Sequence, residues 1–390
     1  MKQREQKVAI VHDFLIHYGG AEAVLEVLCE MFPKADIFTL LYDEQSVDNW
    51  KKTWLAGHRV QGSFLQKFPV FLKKRKKWLL PLMPTAGENF NLRDYDLVIS
   101  SSSAFAKGVV LKPKTLHFCY LHAPMRYVWD YGKEYIEEQV LGGKMKFLIR
   151  FLINYLRLWD RASAQRPDFM IANSYYTAKR IEKYYRRESK VIFPPVRVSD
   201  FKVQKENQGY FLTVARLSPY KRIELLVEVF SKLNLPLVIV GDGEEREKLK
   251  KIIIEKKANN IKMMGFVSRE RLIDLYQNCR AFVFAADDDF GMVLVESMAA
   301  GKPVIALRAG GACEIVVEGE TGEFFDEPVL EVAADAIRRF ISRENLYSGE
   351  IIRKRAELFS REKFKEEFGK LLADNFSVED KQLFHESNNQ

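Results

Sequence analysis

Apolar runs and amphipathic stretches alternate along this chain almost from end to end. Residues 7–12 (KVAIVH) read as a strand, and 21–31 as a helix opened by Gly19-Gly20. Residues 36–41 and 95–100 are further short strands, the second ended by the polar run Ser100 to Ser103; 116–121 is another, stopping at His122-Ala123-Pro124. A long helical pattern over 144–164 follows, interrupted by Arg150, Arg157 and Arg161. A strand at 168–172 then leads into a helix at 174–185 that starts on Ser174, a good cap residue.

Ile192-Phe193-Pro194-Pro195-Val196 cannot continue a helix, and 198–208 is polar without a period, which predicts a domain boundary near 195–208. The alternation then resumes. Strands are predicted at 210–215, 237–240, 261–264, 280–286 and 304–307, with helices at 223–233, 244–257, 269–278 and 292–300. Strict strand–helix alternation on both sides of the boundary predicts an α/β chain of two doubly wound parallel-sheet domains, 1–197 and 208–352. Ligands in such sheets sit at the carboxyl ends of the strands.

At 390 residues and 47% hydrophobic content the chain can bury two ordinary cores. Its four cysteines are scattered without a CxxC pair, which argues against a disulfide framework or a zinc site and for a reducing cytoplasm. The N-terminus lacks the apolar core of a signal peptide, and no segment is apolar enough to span a bilayer. Charge is uneven: residues 1–200 hold 32 Lys and Arg against 21 Asp and Glu, and the remainder 29 against 32. The basic surplus peaks at 64–84, where Lys73, Lys74, Arg75, Lys76 and Lys77 lie among apolar and aromatic residues. That segment suits an anionic membrane surface, with Phe71 and Trp78 at the interface, and it equally suits a solvated face beside a core segment. No nucleic-acid-binding motif accompanies it, so no nucleic acid is expected as a partner.

Candidate chemistry clusters at predicted strand ends. In 287–304 (DDDFGMVLVESMAAGKPV) Asp288 and Gly291 sit at a strand-to-helix turn, where amide groups and the helix dipole favour an anion; Glu296 lies about one turn further on. The two acids either bind sugar hydroxyls beside that anion or merely cap the helix. Arg216 and Lys221, five apart across a turn stiffened by Pro219, both reach one site beyond a strand end. Cations are unfavourable at a helix start, which favours a bound anion there over two surface charges. Gly19-Gly20 makes a phosphate-binding shape without being GxGxxG, and His122 is either a ligand-site histidine or a structural one.

The ordered set ARLSPYKR (215–222), VGDG (240–243), GFV (265–267), DDFGMVLVESMAAGKPVIA (288–306) and AGGACEIV (309–316) resembles the donor-binding half of retaining GT-B glycosyltransferases that use nucleotide sugars. With Gly19-Gly20 and HAP (122–124) the resemblance covers most of the chain. Within that class, YLHAPMRYVWDY (120–131) is similar to bacterial transferases that use GDP-mannose in lipid-linked polysaccharide and O-antigen assembly.

The resemblance implies a GT-B fold, two Rossmann-like domains facing a central cleft, with a C-terminal helix at about 353–374 packing back on the first. It implies that Arg216 and Lys221 hold the donor diphosphate, Glu296 the ribose and Val267 the base through its backbone. Gly241, Asp242, Phe290, Gly291, Met292 and Val293 line the donor. Asp288 contacts the sugar in place of the family's usual glutamate, a departure one methylene shorter. Gly19 and Gly20 approach the diphosphate, and His122 hydrogen-bonds the sugar and supports charge at the anomeric carbon. Asp13 and Arg126 are candidate acceptor contacts.

The expected chemistry is metal-independent, with no cofactor and with the nucleotide sugar as co-substrate. The expected setting is the cytoplasm or the inner face of the plasma membrane, with a lipid-linked saccharide as acceptor. Same-face attack, with the leaving phosphate taking the acceptor's proton, accounts for retention without an enzymic nucleophile. A UDP-sugar transferase, an epimerase or phosphorylase on the same fold, and a non-catalytic nucleotide-sugar-binding protein remain as alternatives.

Overall fold

The apolar runs of the first half become seven parallel strands: β1 (Val8–Leu15), β2 (Asp36–Tyr42), β3 (Val60–Gly62), β4 (Leu97–Ser102), β5 (Leu116–Leu121), β6 (Phe169–Ala172) and β7 (Lys190–Val191). They lie in the order β3-β2-β1-β4-β5-β6-β7. The chain works outward from β1 through β2 to β3, then returns to lay β4 against the other side of β1. The β1/β4 boundary is therefore the point where the strand order reverses, and crevices for ligands open there. The computed structural model describes residues 6–74, 76–130 and 143–375.

β1 and β4 are buried along most of their length, as strands covered on both faces must be. The serines expected to end β4 instead continue it to Ser102. A buried serine is tolerated when its hydroxyl is paired, and Ser100 and Ser101 each meet a histidine nitrogen at 2.8 Å. The helix Tyr175–Tyr185 starts as expected, with the Ser174 hydroxyl accepting from the Thr177 amide at 2.9 Å. No helix among the described residues is long and apolar enough to cross a membrane.

The second half forms six parallel strands: β8 (Phe211–Val214), β9 (Leu237–Val240), β10 (Ile261–Gly265), β11 (Ala281–Phe284), β12 (Val304–Leu307) and β13 (Gly322–Phe325), in the order β10-β9-β8-β11-β12-β13. Here the order reverses between β8 and β11. β11, the AFVF run, is wholly buried. Three strands escaped the sequence reading, β3, β7 and β13, as did the helix Leu330–Arg343. β3 and β7 have three and two residues, too few for a period to register.

The two compact units comprise residues 1–193 with 364–390, and 194–363. The break falls earlier than 195–208, and that stretch is packed as far as Phe201 and exposed over 204–208. Val198 and Phe201 are buried, Phe201 lies edge-on to Tyr276 with ring centroids 5.7 Å apart, and Val196 bridges to Ser360. The single helix expected at 353–374 is two helices, Gly349–Glu357 and Arg361–Asn375. The first stays with the second unit, where Arg353 donates to the carbonyls of Phe201 and Ala299 at 2.7 and 2.5 Å. Only the last helix belongs to the first unit. Its Phe364, Phe368 and Leu372, spaced four apart on one face, are buried in the core that contains Ile10, Leu25 and Ile99.

Burying these three side chains contributes about 1.5–3 kcal/mol each. Phe368→Ala is expected to lower the unfolding free energy of the first unit by about 3–5 kcal/mol, read from urea denaturation followed by tryptophan fluorescence.

Candidate functional site

At the β1/β4 reversal the first unit gathers polar groups from three adjacent strands. His12 of β1 and Ser101 of β4 are register partners, and His122 follows β5 directly, its amide donating to the Ser102 carbonyl at 2.8 Å. Their side chains meet: the Ser101 hydroxyl lies 3.1 Å from His12 Nδ1 and 2.8 Å from His122 Nε2. His12 Nε2 lies 3.5 Å from a carboxylate oxygen of Glu22, in the first turn of the helix Gly20–Met31. Asn173 fixes the His122 backbone by donating to its carbonyl at 2.8 Å. Burial, and the neighbouring His12, pull the His122 pKa down to about 3, so the ring is neutral at neutral pH.

Asp13, expected at the acceptor, is occupied within the fold. Its Oδ2 accepts from the amides of Ser103 and Ala104 at 2.5 and 2.8 Å, and its Oδ1 from those of Phe105 and Ala106 at 2.7 Å. A carboxylate has about four lone-pair positions, so no oxygen remains for a sugar hydroxyl without displacing an amide. Arg126 opens the short helix Arg126–Trp129 and is half-buried; Tyr131, the end of the 120–131 motif, lies outside the described residues. Gly19 and Gly20 are exposed at the start of their helix.

In the second unit the reversal lies between β8 and β11, and the expected groups follow those two strands. Lys221 ends a 3₁₀ turn, Pro219–Lys221, and its ammonium is ion-paired with Asp288, beyond β11. The Lys221 ammonium also sits 5.6 Å from the centre of the Phe284 ring. Arg216 is exposed, and among the described residues its guanidinium has no ion pair or hydrogen bond. Arg222 ties the two strand ends together by donating to the Ala285 carbonyl at 3.2 Å.

Two glycine clusters let the loops come this close. A β-carbon on Gly241 would lie 1.9 Å from the Ala215 carbonyl oxygen, and Gly241 itself has a φ of +128° that other residues avoid. Gly310 likewise sits under the Asp288 carbonyl, where a β-carbon would approach to 2.1 Å, and the Gly311 amide donates to that carbonyl at 2.9 Å. The packing thus explains Gly241 without a ligand, while Asp242 pairs with Arg246 at 2.5 Å.

The helix Met292–Ala299 begins at Gly291, with Met292 and Val293 in the first turn, whose amides have no acceptor within the helix. The Phe290 side chain turns inward against Phe359, ring centroids 5.5 Å apart, so only its backbone faces the site. Glu296 is held by two partners the sequence reading did not find: Arg269 donates to Oε1 at 2.7 Å and the Tyr276 hydroxyl to Oε2 at 3.0 Å. Arg269 also reaches Asp200 at 3.1 Å. One signal for Arg269 was present, since it opens the helix Arg269–Asn278, where a cation is unfavourable unless a carboxylate meets it. Val267 follows β10, half-buried beside Phe266, which is 85% exposed. Among the described residues no three His, Cys, Asp or Glu side chains gather as a metal site.

Residues 197–357, within the second unit, match the family Glycosyl transferases group 1. The lipopolysaccharide 1,2-N-acetylglucosaminetransferase of Salmonella typhimurium is 34% identical over 153 residues, 35% of this chain and 39% of that protein. The GDP-mannose-dependent alpha-mannosyltransferase of Mycolicibacterium smegmatis is 34% identical over 124 residues, 32% of each chain. The matches span about half the length of the first curated relatives. Among solved structures, Anabaena HepE in complex with UDP-glucose superposes with a TM-score of 0.70 over 94% of this chain and 99% of that one, at 19% identity. That likeness, with the two parallel sheets, makes the fold GT-B.

The unfolded chain protonates His122 near its ordinary value of 6.5, whereas the native chain holds it neutral to about 3. Below 6.5 the unfolded state binds a proton that the native state refuses, so this group costs stability as pH falls through that window and nothing above it. In His122→Asn the loss of unfolding free energy between about pH 6.5 and 4.5 is expected to be shallower, by up to about 1.4 kcal/mol per pH unit, in urea titrations across that range.

Proposed function

We propose that this chain is a retaining glycosyltransferase that takes a sugar from a nucleoside-diphosphate donor, GDP-mannose first among candidates, to a hydroxyl of a lipid-linked or polysaccharide acceptor. The observation that carries the reading is the second unit's strand-order reversal. There Arg216, an exposed guanidinium with no partner among the described residues, shares the β8 exit with a lysine ion-paired to Asp288, and the first-turn amides of the helix Met292–Ala299 lie beyond β11. Such a set suits a diphosphate beside a sugar, since cations and helix amides take the phosphates and a carboxylate takes sugar hydroxyls.

In this reading Arg216 and Lys221 stabilise the charge that grows on the leaving diphosphate. A donor diphosphate would draw Lys221 toward itself and release Asp288 to the sugar, so the ion pair stores the two groups in position before the donor arrives. Glu296, oriented by Arg269 and Tyr276, takes the ribose hydroxyls with its remaining lone pairs. His122, with Gly19 and Gly20, serves the sugar and diphosphate from the first unit. The acceptor oxygen attacks on the face the diphosphate leaves, and a phosphate oxygen takes its proton. No step calls for a metal ion. The resemblance of 120–131 to GDP-mannose enzymes and the partial match to a GDP-mannose-dependent relative support the donor.

The 64–84 segment supports a peripheral membrane setting. Val70, Phe71 and Trp78 are exposed on it, beside Lys73, while residue 75 and the side chains of 74, 76 and 77 lie outside the described residues.

Thermal-shift titration with GDP-mannose, UDP-sugars, ADP-glucose and the free nucleotides, with and without EDTA, tests the donor. A selective, EDTA-insensitive shift with GDP-mannose, weakened about tenfold or more in affinity by Lys221→Ala, is expected. Preference for a UDP-sugar discards mannose and keeps the mechanism, and no shift with any of them points to a non-catalytic protein. Replacing Lys73, Lys74, Arg75, Lys76 and Lys77 by Ser is expected to reduce sedimentation with anionic vesicles and leave the donor shift intact; unchanged sedimentation rejects the docking segment.

A further inference from the structure

Glu22, His12, Ser101 and His122 form one continuous contact chain in the first unit, at 3.5, 3.1 and 2.8 Å. The chain has few protons to distribute. A serine hydroxyl has one hydrogen, so of the two ring nitrogens at Ser101 Oγ, one at most accepts from it and any other must donate to it. Which one donates is decided at the far end. Glu22 stands in the first turn of its helix, and its carboxylate only accepts hydrogen bonds. A lone pair on His12 Nε2 facing that carboxylate would set two acceptors against each other with no proton between them.

We propose that Glu22 fixes the tautomer of His122 through His12 and Ser101, so that His122 carries its proton on Nε2 and presents Nδ1 as a hydrogen-bond acceptor. Glu22 draws the His12 proton to Nε2. His12 Nδ1 then accepts from the Ser101 hydroxyl, and Ser101 Oγ accepts from His122 Nε2–H. Among the described residues no hydrogen bond reaches His122 Nδ1, and His122 is part-exposed, so that lone pair is open to a ligand. The ring is also kept neutral by its setting, as the relay requires.

The ligand chemistry follows. An outward Nδ1 lone pair recognises a hydroxyl that donates, such as a sugar hydroxyl, and rejects a phosphate oxygen or a carbonyl. Identifying that hydroxyl with the donor sugar rests on the transferase reading, whereas the tautomer itself does not. Glu22, His12 and Ser101 are then positioning residues, acting on the ligand only through His122. The arrangement also gives Gly19 a reason, since a β-carbon there would crowd the second carboxylate oxygen of Glu22 at 3.3 Å.

Long-range ¹H–¹⁵N correlation spectra of the full chain, labelled with ¹⁵N-histidine and assigned with His12→Gln and His122→Gln, read the tautomers directly and need no substrate. The wild type is expected to show His122 protonated at Nε2. In Glu22→Gln the side-chain amide can donate to His12 Nε2, the relay inverts, and His122 is expected to shift toward the Nδ1–H form. Ser101→Ala should uncouple the two, so that Glu22→Gln on that background leaves the His122 signals unchanged. An Nδ1–H His122 in the wild type overturns the proposal, as does a His122 indifferent to Glu22→Gln when Ser101 is intact. Because the readout is the ring itself, absence of sugar transfer would reject the proposed function and leave this result standing.

Discussion

Four backbone amides converging on the carboxylate of Asp13 are the contact on which the first unit's site depends. A parallel strand leaves its carboxyl end with amides that no neighbour can satisfy, and the turn after β4 carries four of them in succession, Ser103 to Ala106. Asp13, leaving β1 alongside, takes all four and pins the two strand exits together. The same turn is held from its other end by Lys107, fully buried, whose ammonium meets Asp160 Oδ1 at 2.5 Å. Asp160 in turn accepts from the Trp129 indole and the Tyr185 hydroxyl, each at 2.7 Å. With the turn fixed between two buried carboxylates, Ser101 has one place to be, and the histidines on either side of it inherit that precision.

The second unit reaches the same end by different means. Its strand exits are brought together by removing side chains rather than by adding a charged one: Gly241 against Ala215, and Gly310 against Asp288, are contacts that a single methyl group would forbid. What this close approach leaves facing outward is charge in partly compensated pairs, Lys221 with Asp288 and Glu296 with Arg269. Pairs of this kind are part-buried but still reach solvent, and they change partners at less cost than the fully enclosed Lys107–Asp160 pair, whose separation would strand a charge in the core. One unit is thus built around an enclosed, internally satisfied polar network and the other around ions that still reach solvent.

Much of this was written openly in the sequence. The alternation of apolar strand and amphipathic helix announced both sheets, and Ile223–Leu233, Leu237–Val240 and Arg269–Asn278 fall on their predicted bounds. The positions of Arg216, Lys221 and Asp288 at strand exits followed from the alternation alone. What periodicity could not convey was partnership. Nothing near Asp13 in sequence announces that the amides donating to it lie 90 or more residues away, and nothing near Glu296 points to Arg269 and Tyr276. The serine run 100–103 misled for the same reason, because a buried hydroxyl is distinguishable from a turn only once its histidine is known.

The last helix, Arg361–Asn375, supplies Phe364, Phe368 and Leu372 to a core begun by β1 and the helix Gly20–Met31. On the ribosome those first elements emerge long before their final layer exists. The N-terminal sheet must therefore wait, with an apolar face uncovered, while the whole second unit is synthesised. The later unit, closed within 194–363, has no such debt to the chain's end. Order of synthesis and order of completion are reversed: the part made first is the part finished last, and the interval between them is when this protein most needs a chaperone.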